Sequence, residues 1–327
     1  MATFDLSATH TIIDVAKTHN NKEQLDIAQV LHKKNGLFRV GSWEEANQLT
    51  THVYSKEKSL PAGTWRSVNE GIAPSNAQTE QGLETLGRLE DKSIIDEYLI
   101  DDVVPNPKEY RYQHDLMHME GLTQSAVTAF LYGNPATDMN KPKGIQVRYN
   151  TTSLSNVHSM GDATGSSVTS AYICQFGAQK MNLLYGRSSA NKIVNMEDMG
   201  KELVPTSVTV AGTGYYGYVT KFNMIMGIVV YDDRAVQRIC NIGTGGSNEL
   251  SIDSLIWALD SLPDPEDVSG TVIFCNRLTR YQLNKALRNR PNLITSSKDE
   301  YGNYVEFFKG ARIVLLEGIT NTEEVVA

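Results

Sequence analysis

Apolar positions change their spacing along this chain, and each change predicts a different kind of element. Over residues 1–55 they are sparse and near helical spacing. In "EQLDIAQVLHKKNGLF", Leu25, Ala28, Val30 and Leu31 share a face, and Gly36 is placed to cap the helix end. Residues 56–92 then hold eleven charged side chains among thirty-seven positions, with only Leu60, Val68, Ile72, Leu83, Leu86 and Leu89 as aliphatics. Here "GTWRSVNEG" and "QTEQGLETLGRLED" read as strands on either side of the turn-like "GIAPSNA". Such a ribbon has no dense apolar face, and an isolated hairpin is marginal in water. It needs another surface to lie on, and a neighbouring subunit is the expected one.

After Pro105-Asn106-Pro107 the spacing turns helical for the longest run in the chain, predicted over 108–132. Tyr112, Leu116, Met119, Val127 and Phe130 keep one stripe, with His114, His118, Gly121 and Ser125 on the opposite, polar face. Gly133-Asn134-Pro135 stops it. From about residue 169 the pattern becomes strand-like in "TSAYICQFG", "MNLLYG" and "GYVTKFNMIMGIVVYD". A glycine-rich break at 241–248, "NIGTGGSN", predicts a domain boundary. Beyond it helix, strand, helix, hairpin and strand follow in turn, with Ser251 and Asp253 as candidate N-caps. The class is α+β.

Chemical motifs change this picture little. Gly212, Gly214 and Gly217 fit G-x-G-x-x-G, and Asp232-Asp233 follow about twenty residues later, as in a dinucleotide site. That site requires a helix after the glycines, because the pyrophosphate sits on free amides at the helix start. "YVTKFNMIMGIVVYDD" is instead a strand pattern, so the glycines read as a turn and no cofactor is expected. His114 and His118 have the spacing of a helical zinc site, but Asp115 stands where zincins need glutamate. A solvated or interface face is the expected role, with no metal. Gly243-Thr244-Gly245-Gly246 lacks the phosphate-loop lysine and reads as a linker. Asp232, Asp233, Arg234 and Arg238 form a charge cluster suited to contacts within or between subunits. No catalytic constellation emerges, so the chain is not expected to be an enzyme.

Composition sharpens the exclusions. The net charge of −8 argues against a nucleic-acid grip through a basic face. Cys174, Cys240 and Cys275 sit in apolar strand-like runs and read as buried hydrophobes in a reducing compartment. The start lacks a signal-peptide pattern and no apolar run reaches membrane-spanning length, so a soluble chain made in a cytoplasm is expected, with no membrane partner.

Taken together, "MEGLTQSAVTAFLYGNPATDMNKPKGIQVRYN", "TSAYICQFGAQKMNLLYG", "EDMGKEL" and "GYVTKFNMIMGIVVYDDRAVQRICNI" resemble the major capsid proteins of tailed phages, closest to short-tailed phages (podoviruses) of the Bordetella type. The likeness spans roughly residues 60–320 and rests on the order and combination of segments. It implies the HK97-like fold (Hong Kong 97 type). Its parts would be an N-terminal arm at 1–55, an E-loop at 56–95, a P-domain at 96–242 with a spine helix at 108–132 and strands at 169–242, and an A-domain at 243–327. In the family's usual order the A-domain block directly follows the spine, so a permuted connection is expected here.

The resemblance implies a shell subunit that forms hexamers and pentamers of an icosahedral head. The head would be built in the bacterial cytoplasm around double-stranded DNA that it touches non-specifically. A portal protein is the implied partner, and scaffolding and cement proteins are further ones the family uses. The E-loop residues Arg66, Glu70, Glu84 and Arg88 are the candidate inter-subunit contacts. An encapsulin-like compartment is the alternative within the fold, and a nucleotide-dependent oxidoreductase the alternative outside it.

Overall fold

The computed structural model describes residues 36–161, 167–187, 193–205, 214–268, 270–288, 293–298 and 304–327. The helix expected before Gly36 and the glycine at 212 lie outside them. The chain begins with α1 (Gly36–Val40), β1 (Trp43–Glu45), β2 (Thr51–Ser59), β3 (Gln78–Thr85), β4 (Gly87–Asp96), a π-turn (Leu99–Val103) and α2 (Pro107–Tyr132). Next come α3 (Ile145–Arg148), β5 (Val157–Ser159), β6 (Val168–Gln175), β7 (Met181–Tyr185), β8 (Val194–Pro205), β9 (Gly214–Val230) and β10 (Val236–Gly243). The last elements are α4 (Ile252–Asp260), β11 (Thr271–Cys275), α5 (Arg277–Leu287), β12 (Ile294–Lys298), β13 (Tyr304–Phe308) and β14 (Ala311–Leu315).

Local chemistry fixes the long helix at both ends. Pro107 occupies its first turn, where no amide donor is needed. Gly133 ends it, donating its amide to Ala129 O at 2.9 Å. A Cβ at Gly133 would stand 2.2 Å from Pro142 O, so only glycine lets the returning loop pass this close.

Two sheets flank this helix. The first runs β1-β7-β9-β4, with β8 also paired to β9. Its axis is β9, 17 residues long, with β4 along one side and β8 along the other. The second has seven strands in the order β12-β13-β14-β11-β6-β10-β5. In β6, Tyr172 and Cys174 face the core that holds α2, while Ala171 and Ile173 face the core covered by α4 and α5. A strand buried on both faces reads as a nearly continuous apolar run, which is how "TSAYICQ" looks in sequence.

The strand block expected as one unit at 169–242 is therefore divided. β7, β8 and β9 build the first sheet, whereas β6 and β10 pair with each other and enter the second beside β11. The two layers are interleaved along the chain, in place of a permuted succession of whole domains. Apolar alternation marks a segment as strand but carries no record of its partner. The glycine-rich break at 241–248 is likewise a turn inside one layer, since β10 before it and α4 after it share a core. Ser251 caps α4, accepting from Asp253 N at 3.2 Å, and Asn276 with Thr279 forms a capping box on α5.

The stripe on the long helix also needs correction. Leu122, Ala126, Val127, Phe130 and Leu131 pack into the main core with Phe222, Met224 and Met226 of β9. In the N-terminal half, however, Tyr112 is 60% exposed, and beside Tyr110 the buried side chains are the polar His114 and Asp115. The opposing sheet carries Asp91, Ser93 and Thr220 there, so polar side chains find partners by turning inward.

Candidate subunit-contact arm and charge clusters

β2 and β3 pair from Thr51↔Thr85 out to Ser59↔Gln78, making an arm that joins neither sheet. The strand expected at "GTWRSVNEG" is the arm's tip instead, and the first strand lies earlier, at Thr51–Ser59. β4, expected as part of the ribbon, belongs to the first sheet. Every residue from 60 to 77 is exposed, including Leu60 at 76%, Trp65 at 101%, Val68 at 90% and Ile72 at 65%. Arg66 and Glu70 close the tip locally: Arg66 donates to Glu70 O at 2.9 Å, and the Glu70 carboxylate accepts from Ser67 N at 3.0 Å. Arg88 pairs along its own strand with Glu90 at 2.6 Å.

Glu84 behaves differently. It is buried, and Arg148 grips both of its carboxylate oxygens at 2.6 Å while Tyr54 donates to one at 3.3 Å. Burial opposes the Arg148 charge, but the hydrogen bonds and charge of Glu84 outweigh it and raise the guanidinium's pKa. Burial and the Glu84 charge push the Tyr54 phenol up to about 12. Arg148 also donates to Ile228 O at 3.3 Å, so one side chain ties the arm's root to α3 and β9.

The Asp232–Arg238 cluster separates in the same way. Asp232 accepts from the Arg234 amide and guanidinium in an exposed pair. Asp233 meets Lys56 of the arm at 3.4 Å and accepts from Tyr149 Oη at 3.2 Å. Arg238 is fully buried and donates to Ser170 Oγ, Tyr149 O and Glu323 Oε2. Glu323 is buried too and accepts from Tyr132 Oη at 2.7 Å and Ser170 Oγ at 2.5 Å. Arg148 and Glu323 escaped the sequence reading. Each is one charge in an otherwise unremarkable segment, and its partner is far away in the chain.

Two further motifs resolve. Gly214 opens β9 and Gly217 lies within it, so these two glycines belong to the strand itself and not to the expected turn, and the strand is paired on both sides. His118 and His114 lie on the packed side of α2 and serve separate contacts. The His118 ring sits 2.7 Å from Asp91 Oδ2 and stacks on Phe222, while the His114 ring tilts against Tyr110. The seam continues through Arg111–Asp198 at 2.7 Å and Thr220 donating to Asp115 at 3.4 Å.

Desolvation raises the Asp115 pKa, against the pull of Thr220, Arg111 and His118. Its favourable contribution to stability is complete below the ordinary aspartate range and is lost as pH rises through the raised value. Asp115→Asn keeps an acceptor for Thr220 and is expected to stabilise the protein at neutral pH. Thermal unfolding at neutral and acid pH checks this: the gain should shrink on acidification, and a variant less stable at neutral pH would contradict it.

An arm with an exposed tip, a long helix under a long sheet, and a second helix-covered sheet together define a shell-subunit fold. The structure of bacteriophage Epsilon15 shows the same fold, with a TM-score of 0.65 at 21% identity over 88% of each chain. The capsid protein of bacteriophage JBD30 gives 0.47 at 11% identity, over 86% of this chain and 90% of that one. An encapsulin, SrpI of Synechococcus elongatus, gives 0.42 at 10% identity, over 64% and 88%. No curated protein sequence matches. The family model described as major capsid protein GP7 matches residues 19–327, and the chain belongs to that family. It is a structural, non-enzymatic protein of a bacteriophage capsid, which replaces the oxidoreductase alternative.

Proposed function

We propose that this subunit forms the hexamers and pentamers of an icosahedral head of a tailed phage, of the short-tailed type, enclosing double-stranded DNA. The observation that carries the reading is the arm. A two-stranded ribbon exposing Leu60, Trp65, Val68 and Ile72 makes sense only when a neighbour covers it. In this reading β2–β3 is the E-loop, lying across the adjacent subunit of the same capsomer. α2 and the first sheet form the P-domain, and the second sheet with α4 and α5 forms the A-domain. The N-terminal arm is then the segment before β1, because Trp43–Glu45 joins the first sheet and Thr51–Ser59 is the first strand of the hairpin.

Arg66, Glu70 and Arg88 hold only local partners at exposed positions and could exchange them for charge contacts with a neighbour, at about 0.2–1 kcal/mol each. Glu84 anchors the arm instead. The net charge of −8 suits a container that holds DNA loosely, since a basic lining would bind it tightly and salt-sensitively. Assembly in the host cytoplasm, closure on a portal protein, and use of scaffolding and cement proteins complete the proposal. Electron microscopy of the expressed protein is the test. Megadalton shells or capsomers are expected, and a monodisperse small oligomer at every concentration would overturn it.

A further inference from the structure

The arm's tip and a groove at its root are chemically matched. A cleft of about 470 Å³ opens between the C-terminal half of α2 and the start of β4, walled by Leu89, Ala129, Tyr132, Pro142, Met224 and Met226. Gly87 keeps it open at one end, because a Cβ there would stand 2.4 Å from Pro142 Cδ. Arg88 stands on the wall with its guanidinium side chain half in solvent. At the other end of the arm Trp65 is wholly exposed, flanked by Arg66 and Val68. Flexible methionines adapt to an inserted ring, an arginine beside the site offers the face-on cation that an indole binds best, and tryptophan is the residue type most concentrated at interface hot spots.

Tip and groove cannot meet within one chain. The groove starts at Gly87, and β3 ends at Thr85, so it lies at the arm's root. Trp65 lies beyond Ser59, and the nine residues of β2, at about 3.3 Å each, hold it roughly 30 Å away. We propose that Trp65 of one copy seats in this groove on a second copy of the chain, an inference that rests on the capsid-assembly reading above. A plug at the tip and a socket at the root of one arm make a head-to-tail contact. Such contacts propagate from copy to copy and close into rings when the rotation per step allows it.

Disulfide trapping tests the seat. Thr128 lines the groove from the exposed side of α2, and the native cysteines are all buried, so Thr64→Cys, exposed beside the retained Trp65, with Thr128→Cys introduces the two reactive thiols. Oxidised particles of this double variant should give a ladder of covalent multimers that neither single variant gives. Thr64→Cys with Asn195→Cys, the latter exposed on β8, should give none. Trp65→Ala, which alters no packed side chain of the free subunit, should raise the concentration needed for assembly at least about tenfold, with Trp65→Phe in between. Linkage to Asn195 rather than Thr128, or Trp65→Ala assembling like wild type, would overturn the seat. If wild type forms particles and those results appear, only the seat falls. If wild type forms no particles, the capsid-assembly reading falls and takes the seat with it.

Discussion

Replacing Arg238 with alanine is expected to lower the unfolding free energy of the unassembled subunit by about 3–5 kcal/mol, the usual cost of leaving one member of a buried ion pair alone. The guanidinium has no exposed surface, and its donors are spread over Ser170 Oγ, Tyr149 O and Glu323 Oε2. Removing it leaves the buried Glu323 carboxylate with hydroxyl donors but no counter-charge, and takes the guanidinium donor from Tyr149 O. Arg238→Lys keeps the charge but loses the planar fork that spans these acceptors, so it should recover only part of the loss. The pair also fixes the C-terminal segment. Glu323 N donates to Val168 O at 2.9 Å, and Val326 and Asn241 exchange two hydrogen bonds at 2.9 Å. Urea unfolding reads the stability, and amide exchange should show faster opening at 320–327. A change below about 1 kcal/mol would mean that the pair does not lock this segment.

Arg238 also shows where sequence reading stops. Periodicity found the spine because α2 runs uninterrupted from a proline to a glycine. It recognised β9 as a strand despite the dinucleotide fingerprint, because a nearly unbroken apolar, β-branched run outweighs three glycines. It misplaced what depends on partners. Arg238 and Arg234 are four residues apart in one charged stretch, yet one is fully buried and the other pairs in solvent with Asp232. The difference is made by Ser170, Tyr149 and Glu323, which arrive from other elements. His114 and His118 read as a polar face for the same reason, since Asp91 and Phe222, which meet His118, come side by side only when β4 and β9 pair. The arm was legible as a coreless ribbon because lack of aliphatics is a local property, but Glu84 as its anchor was not.

That anchor yields the second large effect. Arg148→Ala is expected to leave the subunit folded and to cut particle yield sharply. Arg148 holds Glu84 by two 2.6 Å bonds, donates to Ile228 O at 3.3 Å and to Lys143 O at 3.2 Å, so one side chain joins arm root, β9 and the loop before α3. Losing it leaves Glu84 in a site that is about nine-tenths buried. The hairpin is peripheral, so the carboxylate reaches water by opening the arm's root rather than by unfolding both sheets. The loss of global stability is thereby capped at the local opening energy. Assembly has no such escape, because a tip roughly 30 Å from its root turns a small change of angle into a large displacement. Each 1.4 kcal/mol lost at a contact is about tenfold in its affinity, and the contact recurs in every copy. Amide exchange on β2 and β3 should rise several-fold in the variant while the melting temperature changes little, and Arg148→Lys should fall between it and wild type. Particles forming at the wild-type concentration from Arg148→Ala would show that the arm's direction is set by the neighbour that receives it and not by its own root.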